Sequence, residues 1–221
     1  MSIRTHIEAI TSTLQNTPCR LIAVTKTKPV DMLMEAYQAG CKMFGENKVQ
    51  EMVSKYEVLP KDIEWHLIGH LQTNKVKYIA PFVSMIHSID SFKLLQEVNK
   101  QAQKVNRVIP CLLQIHIAEE DTKFGLSVEE AEALLHLPEL PILQHIKISG
   151  LMGMATFTEN LTQIRKEFKG LKLFFNQLKS QKLPANVEMQ ELSMGMSGDY
   201  HIAIEEGSTL IRVGSSIFGA R

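Results

Sequence analysis

Lys26, Arg212 and two segments rich in glycine and serine are the parts of this chain whose residue types and placement suggest chemistry. Lys26 closes the run Leu21-Ile22-Ala23-Val24-Thr25, and Pro29 follows shortly after. A short apolar run rich in β-branched residues reads as a buried strand. A proline just past it reads as the opening of a helix, where the missing N–H costs nothing. The pattern therefore sets an amine at the carboxyl end of a strand, which is where parallel α/β folds place their ligands. Near the other end of the chain lie Glu191-Leu192-Ser193-Met194-Gly195-Met196-Ser197-Gly198-Asp199 and Ile211-Arg212-Val213-Gly214-Ser215-Ser216. Glycines let backbone N–H groups approach a ligand and serines add hydroxyl donors, a composition suited to an anion. Tight turns use the same residues, so either segment alone has an ordinary reading.

The elements that would position these residues follow from periodicity. Ile3, Ile7, Ile10 and Leu14 share one helical face, giving an N-terminal helix that stops before Pro18. After the strand that ends at Lys26, helical spacing recurs at Val30, Leu33, Met34 and Tyr37, and Gly40 stops it. Strands are expected at 42–45, 63–68, 83–89, 108–117 (the longest), 145–152, 187–192 and 209–213. Helices are expected around 49–56, 74–80, 92–105, 127–137, 161–178 and 200–206. Ser127-Val128-Glu129-Glu130 forms a capping box for one of them. This makes eight strands, each followed by a helix or helical turn. That count predicts an α/β fold, a single (β/α)8 TIM barrel with an extra N-terminal helix, as one domain over 1–221. A doubly wound open sheet is the alternative, because periodicity does not show closure.

In a barrel the two glycine-serine segments follow strands seven and eight, the usual phosphate site of that fold. Alternation along the last strand puts Leu210, Arg212 and Gly214 on one face. A guanidinium facing the barrel interior needs a partner. It has two readings, a structural ion pair with a carboxylate or a donor to a ring nitrogen of a cofactor. A lysine suited to a Schiff base, two loops suited to phosphate and an arginine suited to a pyridine together point to pyridoxal 5′-phosphate. Lys28 is a second amine nearby, and its ordinary reading is a solvated lysine beyond the strand end.

Composition limits the other classes. Lysine plus arginine number 24 and aspartate plus glutamate 24, so the balance is neutral and argues against nucleic acid as a partner. Cys19, Cys41 and Cys111 are three scattered residues in no metal or disulfide pattern, which suggests free thiols in a reducing compartment. No apolar run reaches the length of a membrane span and no signal peptide is evident, so a cytoplasmic chain without membrane contact is expected. His66 and His70 stand four apart but flank a strand end, and with no further ligand set no metal is expected. Met152, Met154, Met194 and Met196 read as core filler, and Tyr200 as a packed residue at the start of a short helix.

Ala23-Val24-Thr25-Lys26-Thr27-Lys28-Pro29, Phe44-Gly45-Glu46-Asn47, Trp65-His66-Leu67-Ile68-Gly69-His70-Leu71-Gln72, Leu192-Ser193-Met194-Gly195-Met196-Ser197 and Arg212-Val213-Gly214-Ser215-Ser216-Ile217-Phe218-Gly219 resemble the pyridoxal phosphate homeostasis protein family over nearly the whole chain. The resemblance implies the fold of the alanine racemase barrel domain. It implies a Schiff base on Lys26, phosphate contacts from Met196, Ser197, Gly214 and Ser215, a pyridine contact from Arg212, and Asn47 near the ring. Thr25 stands where serine is common. An arginine at the pyridine nitrogen disfavours its protonation and weakens the ring as an electron sink. Two-sided proton transfer needs a second acid or base opposite the lysine, which alanine racemase takes from a partner subunit's extra domain. With Arg221 soon after the eighth strand, no such domain is expected. The expectation is a monomeric carrier that stores pyridoxal phosphate and delivers it to apoenzymes, with no catalytic residue. A weak amino-acid racemase and a binder of some other phosphorylated metabolite are the alternatives.

Overall fold

The computed structural model describes residues 2–119 and 124–219. Its chain order is α1 (Ile3–Thr13), β1 (Arg20–Val24), α2 (Val30–Gln38), β2 (Met43–Glu46), α3 (Val49–Val58), β3 (Glu64–Leu67), α4 (Val76–Ile79), β4 (Met85–Ile89) and α5 (Phe92–Lys104). Then come β5 (Ile109–Ile115), α6 (Val128–Leu135), β6 (Ile146–Gly153), α7 (Leu161–Ser180), β7 (Val187–Ser193), α8 (Tyr200–Glu205), β8 (Leu210–Val213) and α9 (Ser215–Phe218). The strands close in sequence order into a parallel barrel, β8 returning to β1 with Ile22 opposite Arg212. The closed barrel is the architecture expected from the strand and helix count, with α1 as the extra helix.

Alternation along each strand sorts the apolar side chains into two cores. Outward residues such as Phe44, Trp65, Leu67 and Ile86 pack under the helices with Leu33, Met52, Ile79 and Phe168, all fully buried. The inner core is smaller. Ile22, Leu112, Met152 and Leu210 meet there from four strands, joined by Met43, Met85 and Met154. Residues of non-neighbouring strands touch only across the interior, so the barrel is filled rather than hollow. At its lower end Arg20 of β1 pairs with Glu191 of β7 across β8.

Local signals explain most boundaries. Ser127 and Glu130 form the capping box that starts α6, Ser2 and Ser91 cap α1 and α5, and Gly40 ends the α2 region at φ +96°. Three details differ from the sequence-based expectation. Pro29 is the cap of α2, not its first helical residue. The helix expected over 74–80 is a 3-10 turn, Thr73–Lys75, running into α4. The longest strand is β6, with 8 residues, not β5 with 7. Gly150 is the reason β6 runs on so close to β7: a Cβ placed there would lie 1.8 Å from the Glu191 carbonyl oxygen. Gly150→Ala is expected to pry the two strands apart and cost about 3 kcal/mol or more of unfolding free energy, measured by urea titration.

Candidate functional site

Lys26, two residues past the end of β1, is held by a turn that the chain would not adopt unaided. Thr27 has φ 65°, a left-handed conformation that a β-branched residue enters at a cost of about 1–3 kcal/mol. Charge and hydrogen bonds hold it there. Lys55 of α3, buried, spends its three ammonium protons on the Thr25 carbonyl (2.8 Å), Glu46 Oε1 (2.7 Å) and Glu51 Oε1 (2.6 Å). The same Glu51 oxygen accepts the Thr27 N–H at 2.5 Å, and Thr25 Oγ1 donates to Glu46 Oε1 at 2.6 Å. Burial raises the Glu46 carboxyl above its ordinary range, against the pull of its hydrogen bonds from Lys55 and Thr25. The ends of β1 and β2 and the first turns of α3 are thereby fastened around Lys26.

Lys26 lines a pocket of about 430 Å³ at the carboxyl ends of the strands. Asn47, Met196, Ser197, Arg212, Gly214 and Ser215 line the same pocket, so all seven residues singled out from the sequence come together. Asn47 follows β2 and is backed by Gly69, where a Cβ would sit 2.5 Å from the Asn47 carbonyl oxygen. Gly195 turns the loop after β7 at φ +95°, against Ala203 of α8. Met154 and Met196 also face the pocket, whereas Met152 and Met194 are buried core residues as expected.

The two glycine-serine loops converge. Ser197 Oγ accepts the Gly214 N–H at 3.2 Å and the Ser216 N–H at 3.4 Å, so two backbone donors from the second loop aim at one oxygen from the first. The Met196 N–H donates to Asp199 Oδ1 at 2.5 Å. Oxygens of the chain itself, one of them anionic, thus sit where such donors would hold phosphate oxygens. The donor set fits a phosphate.

Arg212 is buried beneath these loops and makes no ion pair of its own among the described residues. It donates to Ser193 Oγ (2.5 Å) and to the Gly153 carbonyl (3.0 Å). The structural ion pair is therefore not what is found. Burial lowers the guanidinium to about 10, with Asp199 opposing, so it stays charged at neutral pH. From Ser193 a chain of hydrogen bonds continues down the interior: His87 Nδ1 lies 3.0 Å from Ser193 Oγ, and His87 Nε2 lies 2.8 Å from His66 Nδ1. Both rings are buried and burial lowers both well below the ordinary histidine range, His66 to about 3, so both are neutral. Arg212 donates to Ser193, and two proton arrangements fit the rest of the row: Ser193 donates to His87 and His87 to His66, or His66 donates to His87 and His87 to Ser193.

Some expectations change. Lys28 is half-buried rather than fully solvated: it lines the same pocket, and its ammonium reaches the carbonyls of Phe218 (3.3 Å), the last residue of α9, and Gly219 (3.0 Å). His66 belongs to the interior chain, while His70 pairs with Asp90 and stacks on Phe124. Tyr200 is packed at the start of α8, against His201. Cys19, Cys41 and Cys111 are buried, unbridged and outside the pocket lining. Burial pushes the first two thiols up to about 11 and the third higher still. No metal-holding group of His, Cys, Asp or Glu occurs among the described residues, nor a helix long and apolar enough to cross a membrane. The sequence reading missed Lys55 and His87. Glu51 and Lys55 look like a surface i,i+4 pair, and the signal for His87 is a histidine at an inward position of an apolar strand.

Two outcomes follow from these networks. Lys55→Met leaves Glu46 buried beside no cation and is expected to lose about 3–5 kcal/mol of stability in urea titration. The buried histidines take up protons on unfolding. The stability these two histidines allow is therefore full above about pH 6.5 and falls below it toward the folded His66 value of about 3, by about 1.4 kcal/mol per pH unit for each histidine. His66→Asn is expected to reduce the proton uptake on acid unfolding by about one.

A sequence model of the family described as "Alanine racemase, N-terminal domain" matches residues 1–221. A pyridoxal phosphate homeostasis protein from Aquifex aeolicus is 41% identical over 204 residues, covering 91% of this chain and 87% of that one. The human protein of the same name is 38% identical over 213 residues, covering 91% of this chain and 76% of that one. The solved structure of PipY from Synechococcus elongatus PCC7942 with pyridoxal phosphate bound has a TM-score of 0.87 and 35% identity, covering 99% of this chain and 100% of that one. Alanine racemase from Bartonella henselae, at 18% identity, shares the fold with a TM-score of 0.74 over 99% of this chain and 58% of that one. The chain belongs to the alanine racemase N-terminal domain family and, within it, to the pyridoxal phosphate homeostasis proteins.

Proposed function

We propose that this protein binds pyridoxal 5′-phosphate covalently through Lys26 and serves as a carrier that stores the cofactor and hands it to apoenzymes, without appreciable turnover of its own. One observation carries the reading. Lys26, Arg212 and the two converging glycine-serine loops line a single pocket, and at about 430 Å³ it falls in the size range of small-ligand sites. The pyridoxal phosphate-bound PipY structure and the names of the relatives support it.

The cofactor supplies an aldehyde carbon and an electron-withdrawing ring. Lys26 would supply the amine that holds the cofactor at that aldehyde carbon. The Glu46–Lys55–Glu51 network holds the turn from which that amine projects. Gly214, Ser216 and Met196 supply N–H donors, and Ser197 and Ser215 supply hydroxyls, for the phosphate. Arg212, fixed by Ser193 and Gly153, supplies a donor for the ring nitrogen. A permanently charged donor there keeps a proton off that nitrogen, which weakens carbanion chemistry and suits holding over turnover.

The purified protein mixed with pyridoxal phosphate is expected to absorb visible light. Borohydride is expected to fix the label on Lys26 in peptide mass mapping. Lys26→Ala is expected to lose the covalent label while Lys28→Ala keeps it. Label on Lys28 instead, or no reconstitution at all, overturns the assignment. Exchange of the α-proton of L-alanine in deuterated water at an enzymatic rate overturns the carrier reading in favour of a racemase.

A further inference from the structure

The phosphate-facing N–H groups of the two loops are held by two kinds of oxygen, and the difference has a consequence. Ser197 Oγ, which takes the Gly214 and Ser216 N–H groups, is neutral and both donates and accepts. A phosphate can take over its two donors and receive its hydroxyl proton as well. Asp199 Oδ1, which takes the Met196 N–H, belongs to a carboxylate, an acceptor only. A phosphate oxygen that takes the same N–H must do so beside a like charge.

Asp199 is also turned in an unusual direction. It stands at the cap position of α8, yet its side chain makes no capping bond to that helix and folds back onto Met196 instead. It lines the pocket together with Met196, Ser197 and Arg212. Its field reaches Arg212 beneath the loops and favours the charged form of that guanidinium. A negative group so placed stabilises the cationic floor of the pocket while opposing an anion on the loops above.

We propose that Asp199 sets the strength of the phosphate hold: its carboxylate competes with the cofactor's phosphate for the Met196 N–H, weakening binding and speeding release of phosphorylated ligands. This rests on the reading that the loops take the phosphate of pyridoxal phosphate. It gives the carrier a built-in means of letting go, since a site of N–H donors and hydroxyls without this carboxylate would retain the ligand longer.

The test compares pyridoxal phosphate with pyridoxal, which has the same aldehyde and ring but no phosphate, on the full chain and on Asp199→Asn. Asparagine keeps an oxygen for the Met196 N–H and removes only the charge. Equilibrium titration by absorbance is expected to show Asp199→Asn binding pyridoxal phosphate about tenfold more tightly, with correspondingly slower release to a trapping amine, while pyridoxal affinity stays within about twofold. Asp199→Ser, which also removes the charge and keeps a short oxygen, is expected to move the same way, and thermal melts check that each variant is folded. If the parent protein prefers pyridoxal phosphate over pyridoxal but neither variant tightens it, or if both ligands shift together, the role of Asp199 is overturned and the phosphate site stands. If the parent protein binds the two ligands equally, the phosphate assignment of the loops fails and takes this inference with it.

Discussion

The ammonium of Lys55 is the contact on which the site depends. A buried cation is tolerated only when its protons are matched, and here all three are, by one carbonyl and two carboxylate oxygens from three different stretches of chain. Those stretches are the end of β1, the end of β2 and the first turn of α3. The barrel brings them within reach, and the ion cluster then fixes the backbone on either side of Lys26, including the left-handed Thr27. The lysine that lines the pocket is in this way oriented by a buried one. The strain stored in the turn persists because the surrounding charges leave it no alternative.

The interior of the barrel carries a second polar system, at right angles in purpose to the first. Inward positions of small barrels are usually filled by branched apolar residues, as Ile22, Leu112 and Leu210 do here. Toward the upper end the filling changes to Arg212, Ser193, His87 and His66, linked in one hydrogen-bonded row. The row lets a guanidinium stay buried without a carboxylate in contact, because neutral partners fix its direction and Asp199 acts on it only through its field. An arginine with a carboxylate partner would offer a ligand above it far less net charge. The absence of a carboxylate partner among the described residues is thus part of how the floor of the pocket works.

Much of this was legible in the sequence, and the reasons are specific. Strand and helix periods, the Ser127–Glu130 box and a strand-ending lysine are local signals, and the count of eight strand–helix units favoured a barrel over a doubly wound sheet, with closure itself visible only in the structure. The two loops were legible because their glycines and serines recur after the last two strands. Lys55 was not, because an i,i+4 Glu–Lys pair looks the same on a solvated helix and on one whose lysine bends inward. His87 was hidden for a similar reason, since a lone histidine in an apolar strand gives no hint of which partners lie across the barrel. The carbonyl partners of the half-buried Lys28 were hidden as well, because Phe218 and Gly219 lie 190 residues away or more in the chain. What the sequence conceals here are contacts between distant segments, which only closure of the barrel creates.

The three cysteines deserve a chemical reading in this light. Aldehydes are captured by thiols as well as by amines, through thiolates that add to the carbonyl carbon. Cys19, Cys41 and Cys111 are all buried, with their thiolates strongly disfavoured. A pocket lined by the amines of Lys26 and Lys28, with every sulfur nucleophile protonated and outside it, is chemoselective toward aldehydes by construction. An aldehyde entering this pocket would meet nitrogen and not these three sulfurs, so the cysteines offer it no thiohemiacetal as a dead-end store.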